Sequence, residues 1–391
     1  MHSPVLPQAG DTVRVTARIQ DPDGNGSVVL RYRVDPSATV TSLAMNDSGF
    51  AGDLVAGDGT YSANIPAQAA GSLVAFNILA TDTAGSPVSA TFPSDAPTRE
   101  CLVRWGEFQP SGSLGTYRLL MTATNVTRWG TRLKNYNAGL DATFVYGASR
   151  VVYNMGAYYS GSPFHTPGYN GPLNNMCDYV FEFPADDLFL GSSDFVMAST
   201  GNIGSDSTSI RESVSFWILR QLGLPYLYRR PVHLMFNGVW RRTSAISFYE
   251  DAQQPNGDVV AQWFPDDNNG NLHKVEDWFE FNDTLTGGSD GRLFNRDATL
   301  QDFTTQNLLT LATEKKTARY RWNWRARSVA DSANDYAPLY GLVDALNDPG
   351  ANFPTNAANY IDTDEWMRVF AMERVVGNWD RSEERRVGKE C

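Results

Sequence analysis

The sequence is poor in the residues that build compact metal and redox centres. Its 391 residues include three cysteines and four histidines. No two cysteines stand in a CxxC pair, and no Cys/His spacing matches a zinc site. His165, His233 and His273 lie far apart, and none belongs to an HExxH run. A GxSxG elbow and a Walker loop are also missing. Basic residues are in the minority, with 32 Lys and Arg against 44 Asp and Glu and a net charge of -12. That balance argues against a nucleic-acid binder, whose footprint is basic. No apolar run approaches the length that spans a bilayer. Met1-His2-Ser3-Pro4 lacks the basic and apolar regions of a signal peptide, which suggests a missing upstream piece.

What remains is ordinary material for folded domains. Hydrophobic residues make up 42% and charged residues 19%, enough for real cores, and the length suggests two or three domains. Loops rich in Asp, Asn, Gly and Thr, few lysines and many aromatics favour an extracellular or cell-surface location. The end of the chain, Arg381 to Cys391, reads codon by codon like a short-read sequencing adapter translated in frame. It is therefore expected to be an artefact that packs against nothing, and the gene is expected to continue beyond Asp380. Without the tail, Cys101 and Cys177 remain; they fall in different expected domains and should not be bridged.

Residues 4–104 read as short strands separated by Gly, Asp and Pro turns. Val13, Val15, Ala17 and Ile19 alternate with polar residues, as a half-buried strand requires. Val28, Leu30, Tyr32 and Val34 form the next strand, followed by Thr60–Ile65, Leu73–Ala80 and Cys101–Arg104. This spacing predicts an all-β sandwich that resembles the immunoglobulin-like, fibronectin-III-like modules of bacterial surface proteins. Its expected role is that of a spacer. Asp21 and Asp23, in Asp21-x-Asp-Gly-x-Gly26, offer the clustered oxygens that calcium takes. The run lacks the later bidentate glutamate of an EF-hand, and an Asx/Gly turn is the stronger reading, as it is for Asp47, Asp53 and Asp58.

Residues 105–380 mix helical and hairpin signals, which predicts an α+β domain. Ser205-Asp206 caps a helix running to about Leu222, with Ile210, Val214, Trp217, Ile218 and Leu222 on one face and Gly223 and Pro225 as stops. Val232–Phe236 is a strand, Asn237-Gly238 a hairpin turn, and Ile246–Glu250 the end of the returning strand. Leu339–Leu346 suggests a short helix. Asp362-Thr-Asp-Glu365 is a capping box opening a helix that should bury Trp366, Val369, Phe370 and Val376 and stop at Gly377.

The ordered series Leu222-Gly-Leu-Pro225, Asn237-Gly238, Tyr249-Glu250, then Ala358-Asn-Tyr-Ile-Asp362 and Gly377-Asn-Trp-Asp380, resembles the CotH family. Gly161-Ser-Pro-Phe164, Phe183-Pro-x-Asp-Asp187, Tyr249-Glu-Asp-x-Gln-Gln-Pro255 and Leu272-His-Lys274 are similar to connecting pieces of long CotH-containing surface proteins. The resemblance implies an atypical-kinase-like domain that uses ATP and magnesium, with spore coat proteins the family's best-known substrates. It implies that Asp380 is the catalytic base, because phosphoryl transfer needs a carboxylate to orient the acceptor hydroxyl. The metal-binding groups would lie downstream of Asp380, so the chain as it stands is expected to be inactive.

The stretch Arg150–Tyr159, where the family carries a phosphate-pairing lysine, offers Arg150 instead, and arginine is not interchangeable with lysine. Arg150, Glu250 and Lys274 are the nucleotide-binding candidates. A structural ion pair competes for Glu250, and plain solvation for Lys274. Lys315, Lys316, Arg319, Arg321 and Arg325 interleave with Tyr320, Trp322 and Trp324, which in an acidic chain reads as a structural segment with arginine stacked on tryptophan.

The competing reading is a non-catalytic extracellular adhesion or structural protein using the same fold. A glycan-acting enzyme would suit ten tryptophans, but the adjacent acids Asp186-Asp187 and Asp266-Asp267 form no ready acid/base couple. The expected partner is a protein substrate or a cell-surface component.

Overall fold

The computed structural model describes residues 1–50, 52–132, 138–160, 171–174, 176–200, 206–242, 248–275, 278–281, 292–296, 300–329, 332–348 and 350–377. The Arg381–Cys391 tail lies outside the described residues. The chain divides into two compact units, Met1–Ser209 with Arg230–Ala252, and Ile210–Arg229 with Gln253–Cys391. The fold is mostly β, built from several sheets.

The first unit begins with β1 (His2–Ser3), β2 (Val13–Arg18), β3 (Asn25–Asp35), β4 (Thr41–Ala44), β5 (Thr60–Ile65), β6 (Leu73–Asp82), β7 (Ser89–Phe92) and β8 (Cys101–Arg104). They form two antiparallel sheets, β1-β2-β5 and β4-β3-β6-β7, with β8 pairing the early part of β6. Val13 and Val15 face Ile65 and Ala63 across the ladder and are buried, while the intervening Arg14 and Thr16 are not. This is the period-two alternation of a sheet with one wet face. Every residue of Leu73–Ile78 in β6 is buried. The reason is that one apolar cluster joins Val13, Val15, Val28, Leu30, Val74 and Phe76 to Leu120, Val145, Val151 and Tyr153 of the strands that follow.

Those strands are β9 (Gly115–Leu120), β10 (Leu140–Tyr146), β11 (Arg150–Tyr159), β12 (Tyr179–Glu182), β13 (Asp194–Ser199), β14 (Arg229–Phe236), β15 (Val239–Trp240) and β16 (Tyr249–Gln253), with helix α1 (Ala123–Thr131) after β9. The sheet runs β15-β14-β16-β13-β12-β11-β10-β9, and a parallel pairing of β14 with β9 closes seven of its strands into a barrel-like ring. Alternate residues fill the interior: Tyr117 and Leu119 on β9, Phe144 on β10, Phe181 on β12, Phe195 on β13, and Val232, Leu234 and Phe236 on β14. Their rings meet edge to face, as for Tyr117–Phe144 at 5.1 Å and Phe144–Phe189 at 4.9 Å. Such offsets suit the ring quadrupole, and large aromatics fill a small barrel to solid core. Trp129 of α1 belongs to the same cluster.

Asn237 and Gly238 join β14 to β15 with φ of 46° and 79°. Two consecutive positive values are what a two-residue primed turn demands, and Asn-Gly supplies them at least steric cost. Asn237 also clamps Met121, accepting from its N–H at 2.9 Å and donating to its carbonyl at 2.8 Å. A Cβ on Gly238 would run into the Arg104 guanidinium.

The second unit holds α2 (Arg211–Gln221), α3 (Gly257–Trp263), β17 (Leu272–Val275), β18 (Trp278–Phe281), β19 (Arg292–Arg296), β20 (Thr304–Gln306), β21 (Thr313–Lys315), α4 (Thr317–Asn323), β22 (Trp324–Ser328), α5 (Ala337–Asn347), α6 (Phe353–Ala358) and α7 (Thr363–Val376). Its sheets are two-stranded: β17-β22, β18-β19 and β20-β21. A small core gathers Tyr320, Tyr336, Leu339 and Val343. Arg319 stacks on Phe303 at 4.7 Å, and Lys315 pairs with Asp302 and Asp344. Helix α2 starts five residues later than its cap signal suggests, because Asp206 accepts from Thr208 N instead, closing an Asx turn. Its expected buried stripe is largely exposed, with Val214, Trp217 and Leu222 all open to solvent. No described helix is long and apolar enough to cross a membrane.

Candidate active site

Helix α7 delivers the chain to the Asn-Trp-Asp motif. Asp362 caps it, accepting from Glu365 N at 2.9 Å, and Gly377 closes it with φ of 65°, a conformation glycine adopts without strain. Met372 is its buried residue, while Trp366, Val369, Phe370 and Val376 are half-buried. Asn378, Trp379 and Asp380 lie outside the described residues.

Of the other candidates, Arg150 and Glu250 belong to the first unit and Lys274 to the second. Arg150 opens β11 and forms an ion pair with Asp187, each side chain about one-third exposed (35% and 36%). Its Nη1 also donates to the Val151 carbonyl at 3.1 Å. Glu250 is 2% exposed within β16. Lys274 is exposed on β17, opposite Arg325 of β22, in the second unit.

The polar group that the barrel does assemble centres on Asp251. Tyr249 belongs to the interior cluster, so two residues further along the strand Asp251 points the same way, and it is 1% exposed. The Tyr117 hydroxyl donates to Asp251 Oδ2 at 2.6 Å. Arg230 Nη1 donates to that hydroxyl at 3.4 Å, and its Nε stands 3.9 Å from Asp251 Oδ2. Arg230 keeps 41% of its side chain exposed. A buried carboxylate is thus linked through a phenol to a cation that reaches solvent. The sequence reading named Glu250 and not Asp251; the signal that points to Asp251 is the face it shares with Tyr249.

On the opposite side of the β9–β14 seam lies a buried ionic group. Arg118 is fully buried and donates to Gly147 O at 3.0 Å, Phe108 O at 3.1 Å and Gln109 Oε1 at 2.6 Å. Its Nε stands 3.4 Å from Glu107 Oε2, and Arg104 binds Glu107 Oε1 at 2.6 Å. Burial pulls the Arg118 guanidinium below its ordinary value, and Glu107 opposes that shift.

Two carboxylate trios bring their oxygens within 4.8 Å of one another: Asp21, Asp23 and Asp82, and Asp47, Asp53 and Asp58. In the first, Asp21 Oδ1 accepts from Asp23 N at 2.8 Å, an Asx turn, and Asp82 Oδ1 accepts from Val88 N at 3.0 Å. In the second, backbone amides of Gly57, Gly59, Gly49 and Thr60 donate to the three acids. All-oxygen donor sets of this kind fit a hard cation such as calcium. Cys101 and Cys177 are both buried and free, as expected.

A family model described as CotH kinase protein matches residues 179–388. No curated protein matches the chain. Among solved structures, the cycloalternan-forming enzyme from Listeria monocytogenes in complex with a pentasaccharide substrate aligns at 11% identity and a TM-score of 0.19. An uncharacterized protein of the same organism, in complex with glucose, magnesium and calcium, aligns at 10% identity and a TM-score of 0.19. Each alignment covers 51% of this chain and 16% of the other, so the chain spans about a sixth of those proteins' length.

Proposed function

Because the chain belongs to the CotH kinase protein family, we propose that it is part of a secreted or surface protein that transfers phosphate from ATP to serine or threonine hydroxyls of a protein substrate. The observation that supports this reading is the family match itself, which runs over Glu250, Lys274 and Asp380. In this reading ATP and magnesium supply the phosphoryl group and neutralise its charge, and the metal-binding groups follow Asp380. Asp380 orients the acceptor hydroxyl and takes its proton as the oxygen bonds to phosphorus and ADP departs. The mixed helices and hairpins of residues 105–380 support an α+β kinase-like layout. The two sheets β1-β2-β5 and β4-β3-β6-β7 support an immunoglobulin-like, fibronectin-III-like spacer ahead of it.

A specific observation favours the second reading, a non-catalytic adhesion or structural protein. Arg150 stands where a phosphate-pairing lysine is expected, and Asp187 already engages it. Nucleotide binding separates the two. The kinase reading expects magnesium-ATP to raise the melting temperature of the protein, less so in Arg150→Ala. An unchanged melting temperature at millimolar nucleotide favours the structural protein.

We further propose that calcium binds Asp21, Asp23 and Asp82. Modules with such exposed acids bind calcium with dissociation constants of roughly 0.1–1 mM. A tenfold excess over the dissociation constant then stabilises by about 1.4 kcal/mol, worth about 2–4 °C in melting temperature. Differential scanning calorimetry should show this shift with calcium, and Asp82→Asn should abolish it. No shift at 10 mM calcium, a concentration set by roughly that affinity range, would leave only an Asx turn.

A further inference from the structure

Strand β4 is an open edge of the sheet β4-β3-β6-β7, and its sequence does nothing to keep it single. Ser37 to Met45 holds no charged residue, no proline and no glycine. Elsewhere in the first unit edges are guarded: β7 is bracketed by Pro87 and Pro93, and β1 and β15 are two residues long. Charges, proline and very short strands are the usual means of stopping an edge from pairing with another chain. Strand β4 is short too, but its ladder runs on through Met45, whose N–H donates to the Val28 carbonyl at 2.8 Å.

The register fixes which backbone groups point outward. Ala44 stands opposite Val29, Leu43 opposite Leu30, Ser42 opposite Arg31 and Thr41 opposite Tyr32. Bonded and unbonded pairs alternate along an antiparallel ladder. Since Met45 bonds to β3, so do Leu43 and Thr41, while Ala44, Ser42 and, by continuation, Val40 turn their N–H and C=O groups away. No other described strand pairs with β4. Ser42 and Ala44 are exposed, and Val40 is 55% exposed.

Such groups call for an extended strand, and the edge itself says which. Side-chain pockets and charges select a foreign strand, and Val40, Ser42 and Ala44 offer no charge to read. A second copy fits by symmetry. A two-fold axis between paired Ser42 residues sets Val40 against Ala44 of the other copy and Thr41 against its Leu43. Every outward N–H then meets an outward carbonyl, giving roughly six backbone hydrogen bonds. The same register sets Asp47 against Ser37 of the other copy, so no like charges stand opposite one another. In a chain of net charge -12, an uncharged edge is where two copies approach with little repulsion.

We propose that β4 pairs antiparallel with β4 of a second copy about a two-fold axis at Ser42, joining the two sheets into one. So short a seam buries less than about 1,200 Å², the range of transient association.

The test is sedimentation equilibrium of the full chain, carrying Cys391→Ser, up to hundreds of micromolar. The otherwise wild-type protein should dimerise reversibly. Ser42→Lys alone and Ser42→Glu alone should stay monomeric, and their equimolar mixture should dimerise, because opposite charges then meet at the axis. Ser42→Pro removes an N–H that β3 does not use; it should be monomeric with nearly the wild-type melting temperature. Cys101 and Cys177 are buried, so an added thiol reports alone. Bonded strand partners have Cα atoms about 5.5 Å apart, within disulfide reach. Mild oxidation should therefore cross-link Ser42→Cys, and should not cross-link Ala90→Cys on β7. A monomer at every concentration, or dimers of Ser42→Lys and Ser42→Glu alone as strong as wild type, overturns the proposal. So does cross-linking of Ser42→Cys no greater than that of Ala90→Cys.

Discussion

Replacing Glu107 by leucine should destabilise the first unit by about 3–5 kcal/mol, the usual cost of leaving one member of a buried ion pair alone. Glu107 and Arg118 have side chains exposed by 1% and 0%. Without the carboxylate, Arg118 keeps its three oxygen partners but loses the only charge opposing its burial among its described contacts. Arg104 loses its partner as well. The double variant Glu107→Leu, Arg118→Met removes both charges and should recover much of the loss, since an apolar pair of similar volume costs little. Urea unfolding gives both values, and the slope against denaturant should not change. A Glu107→Leu loss below about 1 kcal/mol, the range of exposed pairs, would mean that the seam is wet and the group is not a structural lock.

The second large effect concerns pH. His2 is 4% exposed, with Nδ1 at 2.6 Å from the Tyr153 hydroxyl and Nε2 at 3.1 Å from the Val5 carbonyl. Burial lowers its pKa to about 4. Asp141 accepts from Glu100 N at 3.1 Å, and its other oxygen is buried without a hydrogen-bond partner. Burial raises its pKa to about 7, against which the Glu100 amide and Arg99 pull downward. The signs are opposite. Between about pH 4 and pH 6.5 the unfolded chain binds the His2 proton and the folded chain does not, so this stability is complete above pH 6.5 and lost toward pH 4. Over about pH 3.8 to 7 the folded chain holds the Asp141 proton, so that contribution is complete at low pH and lost as pH rises.

In the wild type the two slopes offset one another. Asp141→Asn should expose the His2 slope and lose about 2–3 kcal/mol between pH 6.5 and 4.5; His2→Gln should do the reverse. Unfolding free energies at four pH values decide it. Parallel profiles for the two variants would show that neither group titrates as its burial requires.

Features set by local chemistry were legible in the sequence. The Asn237-Gly238 turn requires two positive φ values, and few dipeptides accept them. Thr60–Ile65 and Cys101–Arg104 appear as strands at the expected bounds, and Asp362 caps α7 as its box predicts. The start of α2 was not legible, because Asp206 has two backbone options and takes the turn. Nor was the barrel: its closure pairs Gly115–Leu119 with Val232–Phe236, and periodicity carries no information about contacts so distant in sequence. The Asp251 group was not legible either. Whether Glu250 or Asp251 faces the interior depends on strand register, and one residue of slip exchanges them. Arg230 joins Tyr117 and Asp251 only once the ring is closed.

The central claim is phosphoryl transfer with Asp380 as the base. Its most direct measurement is incorporation of labelled phosphate from magnesium-ATP by the full-length protein, alongside Asp380→Ala. The account predicts label on serine or threonine, reduced by about 10²–10⁴-fold in the variant. Undiminished label in Asp380→Ala, or no label in either protein, would contradict it.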